Sequence, residues 1–271
     1  MNQHTIASPV EFTGVGIHSG KPVTMRILPA SAGEGIVFVR GGRRIAASYL
    51  NVVKSRRNTC LAAEGSRVRT PEHILSALYG LGIDNALIEL DNEEVPIMDG
   101  SALPFAEALC EAGRAELTAQ RSYIKVPRRF EFTCGGSRLV IEPADEPSFE
   151  VEIDFSSKVI GIQKAGFDFS MDYTSEVAPC RTFCFLREVR LLRFLGLIRG
   201  GSLDNALVVD EPRGYYGGAA PRFDNECARH KLLDLIGDFS LAGAPILGKI
   251  YAYKPGHRFN TSALAAFMKT L

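Results

Sequence analysis

Residues 225–241 read NECARHKLLDLIGDFSL, and the interpretation of the whole chain starts from this stretch. Its length and its mixture of apolar and polar residues predict a long α-helix. Because side chains four residues apart lie on the same helix face, His230 and Asp234 fall one above the other, and Asp238 lies a further turn along. An imidazole and a carboxylate placed in this way can each donate a lone pair to one metal ion. The pair taken alone is more typical of a surface hydrogen-bonded pair.

Two successive series of strands followed by helices lie around this stretch. Val23, Met25 and Ile27 alternate with polar residues, which is the period of a half-buried strand. Thr70 is expected to cap the next helix and Pro71 to occupy its first position. The other elements are predicted as strands at 36–39, 86–90, 123–126, 129–133, 138–141, 149–155, 206–209 and 246–253, and as helices at 70–82, 104–112, 186–195 and from 262 onward. This order predicts an α+β fold of two similar domains, residues 1–120 and 121–271, whose layers face each other.

The composition limits the classes of partner. Lysine plus arginine total 31 and aspartate plus glutamate also total 31, so no net charge attracts nucleic acid or an acidic membrane. Any anionic partner must therefore be held by a local cluster of basic groups. The N-terminus has no features of a secretory signal, and no apolar run is long enough to span a bilayer. We expect a cytoplasmic monomer that binds a small molecule, with reduced cysteines.

A third metal ligand is expected from the first turn of the helix at 70–82. The chain has five histidines, and His73 follows Glu72 there, where free backbone N–H groups favour anions. Adjacent positions on a helix diverge by about 100°, so both residues cannot simply ligate one ion. We assign His73 to the metal and Glu72 to the water beside it, although Glu72 is also a normal helix-dipole carboxylate. Two histidines and one aspartate leave the fourth zinc position open, as catalytic sites require.

Seven segments resemble, in the same order, the motifs of one known enzyme family. They are GVGIHSG at 14–20, TPEHILS at 70–76, VPIMDGS at 95–101, RTFCF at 181–185, GGS at 200–202, RHKLLDLIGD at 229–238 and GH at 256–257. Together they resemble the UDP-3-O-acyl-N-acetylglucosamine deacetylases, the zinc amidases that catalyse the committed step of lipid A biosynthesis. The resemblance covers essentially the whole chain. One departure is Pro71, where members of that family more often carry an aliphatic residue.

The resemblance implies a fold, a metal and a set of catalytic residues. The fold would place helices between two sheets, with a βαβ insertion near residues 178–210 that lines a passage for the acyl chain. The metal would be Zn²⁺, or Fe²⁺ in the cell, held by His73, His230 and Asp234. Glu72 would be the general base, and Asp238 would orient His257. The hydroxyl of Thr182 is expected to help stabilise the oxyanion, and either Glu72 or His257 protonates the departing amine.

The same resemblance implies a set of substrate contacts. Phe155 would stack on the uridine and Asp154 would hydrogen-bond to it, while Lys254 would meet the diphosphate. Gly200 and Gly201 would let the backbone approach the ligand closely. The expected substrate-binding residues are Lys231, Phe183, Gly201, Asp154, Phe155, Lys254 and His18.

Three other functions compete with this interpretation. A zinc hydrolase acting on another acetylated amino sugar would not depend on an acyl chain for turnover. A metal-stabilised binding protein without catalysis would unfold when the metal is removed, and Glu72→Gln would change no reaction. A nucleotide-binding module is disfavoured, because no P-loop or G-x-G-x-x-G pattern follows a predicted strand.

Overall fold

The computed structural model describes residues 1–271, with eighteen strands and six α-helices. The strands are β1 (Asn2–Ile6), β2 (Val10–Val15), β3 (Pro22–Pro29), β4 (Ile36–Arg40), β5 (Arg43–Ala46), β6 (Cys60–Ala63), β7 (Ser66–Arg69), β8 (Ala86–Leu90), β9 (Arg114–Gln120), β10 (Ile124–Lys125), β11 (Phe130–Cys134), β12 (Ser137–Pro143), β13 (Ser148–Asp154), β14 (Ile162–Asp168), β15 (Phe183–Phe185), β16 (Leu207–Asp210), β17 (Gly214–Tyr215) and β18 (Ile246–Tyr253). The helices are α1 (Glu72–Gly80), α2 (Leu103–Ala112), α3 (Tyr173–Glu176), α4 (Leu186–Phe194), α5 (Glu226–Ser240) and α6 (His257–Met268).

Two large sheets form the outer layers of the molecule. The first has the strand order β2-β3-β8-β4-β5, and the second has the order β11-β12-β18-β13-β14, with β10 paired to β18. The strands of the first sheet all precede residue 121 and those of the second all follow it. The division into domains 1–120 and 121–271 stays our proposal. The second half also contains a small sheet, β15-β16-β17, whose parallel strands β15 and β16 are joined through α4.

The helices pack between the two sheets around one hydrophobic core. Helix α1 packs against α5, and α5 lies on β13 and β14. Phe105 of α2 meets Phe12 of β2 edge-to-face, with ring centroids 5.0 Å apart. Ile74 and Leu78 of α1 and Leu233 of α5 belong to the same buried cluster. Burial of each such side chain contributes about 1.5–3 kcal/mol to stability. Placing the helices between the two sheets removes the apolar face of each sheet from water.

Glycine allows α1 and α5 to approach each other at the functional end of the helices. An ideal Cβ placed on Gly237 would lie 2.1 Å from the carbonyl oxygen of Glu72, a distance that real Cβ atoms do not show. Any larger residue at 237 must therefore push the first turn of α1 away from α5. This contact fixes the distance between the two helices that carry the predicted metal ligands.

Two predicted helix starts were wrong. Thr70 does not cap α1: its φ is +58°, and its hydroxyl donates to Glu94 and accepts from the Asn58 side chain instead of accepting from a helix N–H. The cap position is occupied by Pro71, without a side-chain hydrogen bond. The last helix begins at His257 rather than at residue 262, because the Asn260 side chain accepts from the Gly256 N–H and holds the first turn.

No helix of the structure combines the length and the apolar character that crossing a membrane requires.

Candidate metal centre and active site

The three predicted metal ligands converge at the contact between α1 and α5. His73 comes from α1, and His230 and Asp234 lie one turn apart on α5. The Asp234 Oδ1 atom lies 3.4 Å from His230 Nε2 and 3.8 Å from His73 Nε2. One ligand atom from each residue falls within 4.8 Å of the others, and all three residues are buried. Residues separated by more than 150 positions in the chain are thus brought together by helix packing.

The donor set fits a divalent metal ion. Asp234 Oδ1 is buried and has no hydrogen-bond partner, an arrangement that is costly unless a cation lies beside it. The Nδ1 atom of His230 lies 3.0 Å from the carbonyl oxygen of Cys180, which can only accept, so Nδ1 carries the proton and Nε2 keeps its lone pair. Burial lowers the pKa of His230 and lowers that of His73 to about 3. Two neutral imidazoles and one carboxylate are typical ligands of catalytic zinc.

Glu72 and His257 face each other beside the ligands. Glu72 Oε1 lies 3.5 Å from His257 Nε2, and the same nitrogen lies 3.7 Å from Asp234 Oδ2. The backbone N–H of Thr59 donates to Glu72 Oε2 at 3.2 Å. Glu72 and His257 therefore both point toward the space that adjoins the three predicted metal ligands.

Asp238 holds the opposite side of the His257 ring. Its Oδ2 lies 3.0 Å from His257 Nδ1 and accepts from the Asn260 side chain at 2.9 Å. Its Oδ1 accepts from the Thr59 hydroxyl at 2.5 Å. Asp238 is completely buried and does not line the cavity, so it acts on the site only through the groups that it orients.

The carboxylates set the charge state of this pair. Burial raises the pKa of Glu72 well above its usual range, and Asp238 and Asp234 add to this effect, while His257 opposes it. Burial disfavours the charged form of His257, but the carboxylates of Asp238, Glu72 and Asp234 outweigh it and raise the pKa of His257. A cationic His257 beside a carboxyl group of increased proton affinity is an arrangement suited to general acid–base chemistry.

The centre lies in a cavity of about 1610 Å³. Of the predicted site residues, the cavity is lined by Glu72, His73, His230, Asp234, His257, Thr182, Phe183, Gly201, Lys231, Lys254 and His18. Lys231 donates to Asp234 Oδ2 at 2.7 Å and lies over the Phe183 ring, 5.6 Å from its centroid. Apolar side chains from α4 and the small sheet line the rest of the cavity, among them Leu186, Val189, Leu192, Ile198 and Val208.

Two predicted substrate contacts lie outside the cavity wall. Asp154 pairs with Lys254 Nζ at 3.0 Å and accepts from the Tyr253 hydroxyl at 2.9 Å. Phe155 packs against Phe183, with ring centroids 5.7 Å apart. Each residue thus contacts a side chain next to the cavity without lining it, and their roles toward uridine stay predictions.

Glu94 is a buried residue of the site region that the sequence analysis missed. Its Oε1 accepts from the His18 N–H at 2.8 Å and from the Thr70 hydroxyl at 3.2 Å, and its Oε2 accepts from the Ser19 N–H at 2.8 Å. His18 in turn bonds through Nδ1 to the carbonyl of Leu197. Glu94 therefore holds the loop that carries His18 against the segment that leads from α4. An acidic residue directly before the apolar run at 95–98 was the available signal.

Glu226 and Thr59 were missed as well. Glu226 is buried and accepts from the backbone N–H and the guanidinium of Arg181 at 3.0 and 2.9 Å. It thereby fixes the segment that contains the Cys180 carbonyl, the partner of His230, and Thr182. Thr59 contacts Glu72 and Asp238 from a loop, and no pattern in its surroundings indicates this role.

Comparison with known proteins gives consistent results. Residues 3–269 match the protein family described as UDP-3-O-acyl N-acetylglycosamine deacetylase (LpxC). The UDP-3-O-acyl-N-acetylglucosamine deacetylase of Nautilia profundicola is 44% identical over 263 residues, which cover 96% of this chain and 89% of that protein. The protein of the same name from Nitratiruptor sp. is 43% identical, with 96% and 88% covered. That from Phenylobacterium zucineum is 43% identical over 275 residues, with 98% and 93% covered.

Proposed function

The chain belongs to the UDP-3-O-acyl-N-acetylglucosamine deacetylase family, and we propose on that basis which residues and which metal carry out the deacetylation. The reaction is hydrolysis of the acetamide of UDP-3-O-acyl-N-acetylglucosamine, which releases acetate in lipid A biosynthesis. The observation that carries the assignment is the buried, unpartnered Asp234 Oδ1 between His73 and His230, beside Glu72 and His257.

We assign the metal site to His73, His230 and Asp234, with Zn²⁺ as the ion and Fe²⁺ as the alternative in the cell. A divalent ion bound there supplies Lewis-acid polarisation of the acetamide carbonyl and makes water acidic enough to attack near neutral pH. The Cys180 carbonyl orients His230, and the ammonium group of Lys231 orients Asp234.

The residues of the chain divide the proton transfers between them. Glu72 takes a proton from the attacking water as the new C–O bond forms, while the Thr59 N–H keeps its carboxylate in place. The Nε2–H of cationic His257 and the Thr182 hydroxyl face the developing oxyanion. The C–N bond then breaks, and the amine takes its proton from Glu72 or from His257. Asp238 keeps the His257 ring oriented throughout.

Substrate recognition uses residues that line the cavity. Lys231 and Phe183 contact the sugar, and Lys254 meets the diphosphate. His18 and Gly201 also line the cavity, and Leu186, Val189 and Leu192 on the inner face of α4 receive the acyl chain. Asp154 and Phe155 contact the uridine at the rim. We further propose that the protein is a cytoplasmic monomer without a nucleic-acid partner.

The test is acetate release from UDP-3-O-acyl-N-acetylglucosamine by the metal-loaded protein, its chelated form and Glu72→Gln. Chelation should abolish activity, zinc should restore it, and Glu72→Gln should lower kcat by about 10²–10⁴-fold, the usual contribution of a general base. Asp84→Asn is the matched control, because Asp84 pairs with Arg121 at 2.8 Å and does not line the cavity. Equal turnover of a substrate without the acyl chain would favour a different amino-sugar hydrolase. A folded, metal-loaded protein that releases no acetate would favour the binding-protein hypothesis.

A further inference from the structure

Helix α4 has two faces with different surroundings. Its inner face carries Leu192, which is 3% exposed, together with Leu186 and Val189, which line the cavity. Its outer face presents large apolar side chains to solvent: Leu191 is 58% exposed, Phe194 is 87% exposed and Leu195, which follows the helix, is 48% exposed. We call Leu191, Phe194 and Leu195 the α4 patch. Apolar residues on both faces of a short surface helix are not explained by packing within the molecule.

Arginines without acidic partners surround the α4 patch. Arg190, Arg193 and Arg199 are exposed, and none of them has a carboxylate within ion-pairing distance. The acidic residue of α4, Glu188, is already paired with Arg57 at 2.9 Å. The chain as a whole has no net charge, whereas the unpaired arginines give the surface around the α4 patch a local excess of positive charge.

The α4 patch adjoins the opening of the cavity. Arg190 and Arg193, on the same helix, line that cavity, as do Leu203 and Tyr216, which are 48% and 46% exposed. Exposed apolar and cationic groups therefore border the entrance through which a ligand reaches the metal centre.

We propose that the α4 patch and its arginines dock on a bilayer surface that contains anionic lipids. Leucine and phenylalanine side chains enter the boundary between headgroups and acyl chains, while arginines contact the lipid phosphates. A second copy of the chain fits less well, because three side chains present only a few hundred square ångströms and stable pairs bury about 800 Å² per partner. Like-charged arginines would also face each other in such a pair. Charge complementarity therefore selects the lipid surface.

Docking in this orientation has a consequence for the substrate. The cavity entrance would face the bilayer, so an acyl chain dissolved in the membrane would pass directly onto the apolar wall formed by α4. This consequence rests on the proposed deacetylase function, whereas the docking itself does not. The two are therefore tested separately.

The docking test is co-sedimentation of the full-length, metal-loaded protein with vesicles of phosphatidylcholine alone or with phosphatidylglycerol added at one part in four. We expect the protein to bind the anionic vesicles at least tenfold more tightly than the neutral ones. Binding to the anionic vesicles should be weaker in about 0.5 M salt, because salt screens the attraction between the arginines and the lipid phosphates. Phe194→Ser should weaken binding by about tenfold, and the double variant Arg190→Gln, Arg193→Gln by about fivefold for each arginine.

Two matched controls separate the α4 patch from general surface properties. Leu50→Ser removes an apolar side chain that is 77% exposed on a different surface segment, and Arg43→Gln with Arg128→Gln removes two exposed arginines that form no ion pair. Both controls should bind as the unmodified protein does. Equal binding to both vesicle types, or unchanged binding by the α4 variants, would overturn the proposal. Concentration-dependent self-association that Phe194→Ser abolishes would assign the α4 patch to a second copy instead.

Acetate release then tests the consequence for the substrate. With a short-acyl substrate and no vesicles, Phe194→Ser should be as active as the unmodified protein. If neither protein released acetate, the proposed function would be refuted, and the result of the vesicle-binding test would still stand. With a long-acyl substrate in anionic vesicles, Phe194→Ser should have a higher KM than the unmodified protein and the same kcat. An equal KM for both proteins would refute delivery of the acyl chain from the bilayer.

Discussion

Replacing Gly237 by alanine tests whether the contact between α1 and α5 sets the position of Glu72, the general base that we propose. The added Cβ would lie 2.1 Å from the Glu72 carbonyl oxygen, 2.9 Å from its carbonyl carbon and 3.2 Å from its Cα. Ordinary carbon contacts begin near 3.5 Å, so the first turn of α1 must move by about 1 Å. Because all three neighbours of the Cβ are backbone atoms, no side-chain rotation can relieve the contact.

The size of the effect follows from this displacement. A misplacement of about 1 Å in a catalytic group reduces the rate by about 100-fold, so kcat/KM should decrease by about that factor. Overpacking against backbone destabilises by up to about 3 kcal/mol, and the higher helix propensity of alanine returns about 1 kcal/mol. We therefore expect a net loss of about 2 kcal/mol in the free energy of unfolding.

The assay pairs acetate release with thermal unfolding of the same preparation. A loss of about 2 kcal/mol corresponds to a decrease in Tm of about 5 °C for a chain of this size. Gly166→Ala in β14 is the matched control, because its Cβ would lie 3.4 Å from the Phe149 carbonyl oxygen, an ordinary contact. If Gly237→Ala retained kcat/KM within about threefold and melted at the unmodified temperature, the argument that this contact positions Glu72 would be refuted.

Three further predictions concern the supports of the site. Glu94→Gln places an amide donor against an N–H donor of the 14–20 loop, so it should lower the free energy of unfolding by about 1–3 kcal/mol. The same change should raise KM for long-acyl substrates more than it lowers kcat. Denaturant titration and kinetics with substrates of different chain length measure these effects, and an unchanged KM would contradict the positioning role of Glu94. Chelation should lower Tm as well as activity, because a bound ion offsets the cost of burying the unpartnered Asp234 Oδ1. Calorimetry with and without zinc tests this prediction, and an equal Tm in both conditions would count against the proposed metal site. Burial opposes ionisation of Asp99, but hydrogen bonds from Ser101 and Arg222 outweigh it and lower its pKa. A lowered pKa stabilises the folded protein at pH values above the unfolded-state pKa of about 3.9, and this stability is lost as the pH falls through the folded-state pKa. The difference in denaturant midpoint between Asp99→Asn and the unmodified protein should therefore narrow below about pH 4. A difference that stays constant with pH would refute this linkage.

Local patterns were sufficient to predict the fold class and to nominate most of the candidate site residues. The spacing of His230 and Asp234 placed both on one helix face because helix geometry depends only on neighbouring residues. The strand at Ile246–Tyr253 was predicted at the bounds that the structure has, since alternation of apolar residues is also a local property. The motifs at 70–76 and 229–238 were enough to nominate His73 and Glu72 with them.

Only the tertiary structure decided which distant groups complete the site. Thr59, Glu94 and Glu226 act through hydrogen bonds to residues that lie elsewhere in the chain, and no periodicity encodes such partners. The start of α6 at His257 depends on Asn260, whose side chain bridges Gly256 and Asp238. The distance between α1 and α5 depends on the absent side chain of Gly237. The sequence alone thus predicted most of the elements and nominated the candidate ligands, because both follow from short-range geometry. Packing determined the positions of the candidate site atoms, because these depend on which surfaces meet.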